Sequence, residues 1–90
     1  MSGPNPYSVS PIIFLVDKPV RVSTQWFNKA NLRKEFSSDQ YIIMQRENLI
    51  GTVKRVHEST DELGVQFGNS DDWRDNCCVW VPRTQVQILR

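Results

Sequence analysis

From Gly51 to Leu89 the chain is a succession of short runs with strand periodicity, and no other stretch narrows the fold as much. Leu63-Gly64-Val65-Gln66-Phe67 alternates as a half-buried strand does, so Leu63, Val65 and Phe67 are expected to face inward. Leu49 to His57 reads as a longer strand. Successive strand side chains point to opposite faces, which puts Ile50, Thr52, Lys54 and Val56 on one side and Leu49, Gly51, Val53 and Arg55 on the other. Gly51 inside that run is expected to mark a bulge or a sharp bend. Glu58-Ser59-Thr60-Asp61-Glu62 forms a hydrophilic hairpin loop between the two. Cys77-Cys78-Val79-Trp80-Val81 is a further strand, ended by Pro82, which has no N–H to give a ladder. Arg83-Thr84-Gln85 then makes a tight turn into Val86-Gln87-Ile88-Leu89, a last strand of alternating apolar residues.

The N-terminal half is less regular. Residues 1–10 are rich in Pro, Ser and Gly and read as a flexible tail ahead of a domain over 11–90. Ile12-Ile13-Phe14-Leu15-Val16 has the composition of a strand buried on both faces. Asp17-Lys18-Pro19 breaks it, and Val20-Arg21-Val22-Ser23 resumes with Val20 and Val22 toward the core. Between residues 24 and 40 the spacing changes. Trp26 and Ala30, then Leu32 and Phe36, stand i,i+4, which fits a short helix begun by Ser23 or Thr24 and ended by Ser37-Ser38-Asp39. A long loop with anchoring aromatics fits as well. Tyr41-Ile42-Ile43-Met44 follows as a compact apolar run.

Ninety residues make one domain with one core. Polar loops separate the strand-like runs at intervals of about eight to twelve residues, the spacing of an all-β sandwich or barrel. At this length a small barrel of five or six strands, with the helix or loop inserted near residues 24–40, removes exposed edges most economically. Three Trp, four Phe and two Tyr supply the large buried areas such a barrel needs. Eleven Lys and Arg against ten Asp and Glu leave a net charge of +1, too small a whole-protein field to recruit nucleic acid or an anionic membrane. Any such role requires a local patch. The longest apolar run, Ile12 to Val16, is far short of the roughly 20 residues that span a bilayer. Cys77 and Cys78 are adjacent, face opposite ways on a strand and cannot join in an ordinary disulfide. With a single His57 and no CxxC, no metal site or cofactor is expected. Free thiols point to a reducing compartment, the cytoplasm or the nucleus.

Three sets of residues could carry binding. Trp73 stands in an acidic loop with Asp71, Asp72 and Asp75, an aromatic platform ringed by carboxylates that suits a Lys- or Arg-bearing peptide. Equally, Trp73 can fold back to cap the barrel mouth. Trp26, Phe27, Tyr41 and Phe67 are the candidates for an aromatic cage around a methylated Lys or Arg, as in Tudor-type barrels, although core packing explains Phe67 better. Lys29, Arg33, Lys34, Lys54 and Arg55 form a basic set, with Lys29 and Arg33 one helical turn apart and Lys54 and Arg55 on opposite strand faces. The near-neutral total and the acidic loop weigh against nucleic acid as its ligand. His57 has no partner in any catalytic spacing, and no Walker loop, GxGxxG, HExxH or nucleophile elbow occurs, so a non-enzymatic role without catalytic residues is expected.

Gly51-Thr52-Val53-Lys54-Arg55-Val56, Asp61-Glu62-Leu63-Gly64-Val65-Gln66-Phe67-Gly68, Trp80-Val81-Pro82 and Val86-Gln87-Ile88-Leu89, in this order, resemble an SH3-like barrel. The set is similar to the SH3-like repeats of mind bomb and related large E3 ubiquitin ligases, over roughly Val20 to Leu89. The ALYDY-like opening of ordinary SH3 domains is missing, and the segment between Ser23 and Tyr41 is an insertion, so proline-rich peptide binding is not implied. The resemblance implies partner recognition within a larger protein, as an accessory to a ubiquitin ligase, and no ubiquitin transfer by this domain. The expectation is therefore a protein-interaction module that binds a basic peptide or protein. A Tudor-like reader and a nucleic-acid-binding barrel are the alternatives.

Overall fold

The computed structural model describes residues 12–89; the side chains of Ile12, Ile13 and Trp73 lie outside that description, as do residues 1–11, the expected tail among them, and Arg90. Five strands form one sheet: β1 (Pro19–Val22), β2 (Ile50–His57), β3 (Glu62–Phe67), β4 (Cys77–Pro82) and β5 (Val86–Ile88). Their order is β4-β3-β2-β1-β5, and every neighbouring pair is antiparallel. Two helices, α1 (Thr24–Leu32) and α2 (Ser38–Arg46), connect β1 to β2. Single 3-10 turns occupy Ile12–Leu15, Trp73–Asp75 and Arg83–Gln85. No helix among the described residues is long and apolar enough to cross a membrane.

The fold is predominantly β, but the sheet does not close into the expected barrel. Its end strands, β4 and β5, share no ladder. The helices explain why closure is unnecessary. Phe27 and Ala30 from α1, Ile43 and Met44 from α2, and Phe36 between them join Val20, Val22, Val53, Leu63, Val65, Phe67 and Val81 in one core. They cover the sheet face that a closed barrel would have to cover with its own strands.

Residues 24–46 correct the sequence reading most. The serines read as a helix terminator are the start of a second helix. Ser37 accepts from Gln40 N at 3.1 Å, and the Gln40 side chain accepts from Ser37 N at 2.9 Å, a reciprocal cap that satisfies two otherwise orphaned donors. α1 begins as expected, with Ser23 Oγ accepting from Trp26 N. It ends earlier, at Arg33, where Lys34 turns left-handed at φ 57° and Glu35 N donates back to Ala30 O. Leu32 is consequently 81% exposed while Phe36 is buried. The apolar run Tyr41–Met44 lies on α2, with Ile43 and Met44 buried and Ile42 exposed. Asn48 and Leu49, both at positive φ, then reverse the chain into β2.

Ile12 to Val16 is likewise no strand; a 3-10 turn spans Ile12–Leu15, with Phe14 exposed and Leu15 packed on the core. A short run of continuous apolar residues has no face, so its composition could not separate strand from turn. The strands after residue 50 follow the alternation closely: Val53, Leu63, Val65, Phe67 and Val81 are all fully buried. One irregularity changes the outer surface. Val53 pairs with Val65 and Arg55 with Gly64, so Lys54 is an extra residue in a β-bulge.

Candidate functional site

The acidic loop between β3 and β4 is built around hydrogen bonds to its own backbone. Gly68, at φ +85°, opens it; a Cβ there would stand 2.7 Å from Asn76 Oδ1 and from Asp75 O. Asn76 closes it, accepting from Ser70 N at 3.0 Å and donating to Ser70 O at 2.8 Å. The three carboxylates are not equivalent. Asp72 receives the Arg74 guanidinium at 3.1 and 3.0 Å and the Arg74 backbone N–H at 3.0 Å. These bonds from Arg74 hold its carboxyl below the ordinary carboxylate value. Asp75 lies 3.4 Å from Ser70 Oγ, and its carbonyl accepts from Arg46 Nη2 of α2 at 2.8 Å. Asp71 is exposed. The Trp73 backbone sits in the 3-10 turn of this loop, while its side chain lies outside the described residues.

Arg46 thus ties the loop to α2, and between loop, helix and β4 runs a cleft of about 460 Å³. Asp39, Gln40 and Ile43 line it from α2, Arg74 and Asn76 from the loop, and Cys77 and Cys78 from β4. Both thiols are free. Burial, reinforced by the neighbouring Cys78, pushes the Cys77 thiol up to about 11. Burial also raises Cys78. Protonated thiols at neutral pH are poor nucleophiles and poor metal ligands. The cleft offers a mixture of apolar, amide and ionic contacts.

Trp26, Phe27 and Tyr41 do come together, with Phe36 as a fourth ring that the sequence reading left in a hydrophobic pair. Phe27 stacks on Tyr41 at 5.1 Å and on Phe36 at 5.5 Å, and Trp26 meets Phe36 edge-on at 5.7 Å. Phe27 and Phe36 are buried, so their faces serve one another. Phe67 is fully buried in the same core and is not one of the paired rings. A cage for a methylammonium needs ring faces open to a ligand.

The basic set divides. Lys29 lies on α1, Arg33 caps it and pairs with Glu35 at 3.6 Å, and Lys34 occupies the turn beyond. Lys54 and Arg55 sit together at the β2 bulge. Their expected placement on opposite faces is overturned, because the extra residue lets both leave the core side, and both line one shallow depression.

That depression lies on the outer face of β2, β3 and β4 and is about 480 Å³. Lys54, Arg55, Gln66, Cys78 and Trp80 line it. Trp80, 45% exposed, is the residue whose position sequence reasoning passed over. The signal was present: with Val79 and Val81 directed inward, strand alternation sends Cys78 and Trp80 outward. His57 stands edge-on to Trp80 at 6.0 Å, and its Nδ1 lies within 3.1 Å of Ser59 Oγ and 3.0 Å of Thr60 Oγ1 at the hairpin turn. Comparison of the chain with family models, with curated proteins and with solved structures finds no match.

Proposed function

We propose that this chain is a non-catalytic interaction module that takes an extended segment of a partner protein into the cleft between α2, the 69–76 loop and β4. The observation that carries the reading is the position of that cleft beside β4, the end strand of the sheet. A segment laid there could use the backbone groups of a sheet edge for affinity and the cleft for side-chain selection. Asp39, the carboxylate lining the cleft, favours a basic side chain on the partner, since Asp72 is already engaged by Arg74. The resemblance to SH3-like repeats supports the reading through the residues that carry it. Trp80-Val81-Pro82 closes β4, one 3-10 turn follows, and Val86–Ile88 forms the last strand. By the same resemblance the module serves within a larger intracellular protein, as a recognition element of a ubiquitin ligase.

A ¹H–¹⁵N titration with basic, methyl-lysine and ubiquitin-derived peptides tests this. Shifts are expected at Asp39, Gln40, Asn76 and Cys77, with Asp39→Lys weakening a basic peptide several-fold. Capture of a protein partner should be lost in Trp73→Ala. Peptide shifts that avoid the cleft, or an Asp39→Lys variant that binds basic peptides undiminished, would refute the assignment.

A further inference from the structure

We infer that the outer face of β2, β3 and β4 is a binding platform for single-stranded nucleic acid, with a base stacked on Trp80 and backbone phosphates held by Lys54 and Arg55. Three features of the sheet produce this surface. The bulge at Lys54 brings two cations to one face, where a regular strand would separate them. Cross-strand register aligns Arg55, Gly64 and Trp80 in one row. Gly64 has no side chain, so the indole reaches across it: a Cβ there would stand 3.4 Å from Trp80 Cζ3 and 3.2 Å from Arg55 Cβ. The ring lies over Gly64 and stands perpendicular to His57 at 6.0 Å, yet remains 45% exposed.

Charge complementarity selects the ligand. The only charged side chains lining the depression are Lys54 and Arg55, and no carboxylate is among the described residues that border it. The nearest acid in register, Glu62, lies two residues along β3 from Gly64 and opposite His57, which directs a polyanion toward the bulge. Lys54 is 3.5 Å from Asp17, but both are well exposed, and a pair of that kind exchanges readily for a phosphate. The surroundings of Trp80 also argue for a nucleotide over a protein. A tryptophan that anchors a protein partner is usually ringed by contacts that exclude water. Here the ring is bordered by an amide, a thiol and two cations, which suits a planar base with a charged backbone. The chain's near-zero net charge limits the affinity and leaves this local patch to supply it.

The test is fluorescence anisotropy of a labelled oligo-uridine and an oligo-thymidine of about eight residues, at about 50 and about 200 mM salt. Trp80→Ala should bind roughly 5- to 150-fold more weakly, the range for losing one stacked base. A Lys54→Gln/Arg55→Gln double variant should reduce the logarithmic salt slope by about 1.4, as expected for two phosphate contacts on a single strand. Because Trp80→Ala also uncovers Gly64, the indole N–H resonances of the three tryptophans in the wild-type protein are followed in parallel. Trp80 should shift with the oligonucleotide and not with an acidic peptide. Absence of binding at the lower salt, a salt slope unchanged in the double variant, or a Trp80 resonance moved by the acidic peptide alone would each overturn the inference. None of these results depends on the cleft beside α2.

Discussion

A methyl group at Gly51 would meet Gln66 O and Val65 Cγ1 at 2.6 Å and Phe67 Cδ1 at 3.1 Å. The glycine is there because β3 approaches too closely for any side chain, and the bulge in this strand falls three residues on, at Lys54. Gly51→Ala should therefore destabilise the fold by about 1–3 kcal/mol, read from the urea midpoint. Cys77 makes a second prediction at this scale. Burial raises its folded thiol to about 11, so the unfolded chain releases that proton first, near 9.0. The stability contributed by this group is fully present below pH 9.0 and is lost as pH climbs toward 11. Cys77→Ser should show a shallower fall in thermal midpoint across that window. In Cys78→Ser, which isolates Cys77 and leaves its burial in place, alkylation at neutral pH should run more slowly than for an ordinary thiol.

Among the elements, α2 depends most on its first turn. Its cap is reciprocal, Ser37 with Gln40, and Gln40 also lines the cleft next to β4. Ser37→Ala should cost about 1 kcal/mol by denaturant titration and should displace the amide resonances of Gln40 and Cys77 more than those of α1. The same serine shows why this region was hard to read. Serine both caps helices and breaks them, and the Ser37-Ser38-Asp39 cluster is compatible with either until its partner is known. The bulge in β2 illustrates a different gap. Strand alternation correctly separates buried Val53 from the outward side chains, but one extra residue resets the period beyond it. Nothing in Val53-Lys54-Arg55-Val56 announces that reset, because register is a property of two strands and only one of them is being read.

Across the whole molecule, β1 is the strand that joins distant parts of the chain. It pairs with β2 on one side and with β5 on the other, through Val20↔Ile88, Arg21↔Gln87 and Val22↔Val86. Ending the chain after Gln85 should remove that second ladder and the Leu89 N to Pro19 O bond, at a cost on the order of 2–4 kcal/mol. The shortened protein should still unfold in one transition, with tryptophan fluorescence and far-ultraviolet dichroism coinciding. The amino-acid sequence by itself determined the β character of the chain and the inward faces of β1 and β3, because one-sided burial imprints a two-residue period on local sequence. It also placed the candidate groups in the cleft loop and on β2. Only the tertiary structure decided between helix and loop after Ser23, the second helix, the open sheet, the bulge that unites Lys54 with Arg55, and the row that sets Trp80 over Gly64. Each of these depends on contacts between residues far apart in the chain, and a short apolar or polar run carries no record of the neighbour it will meet.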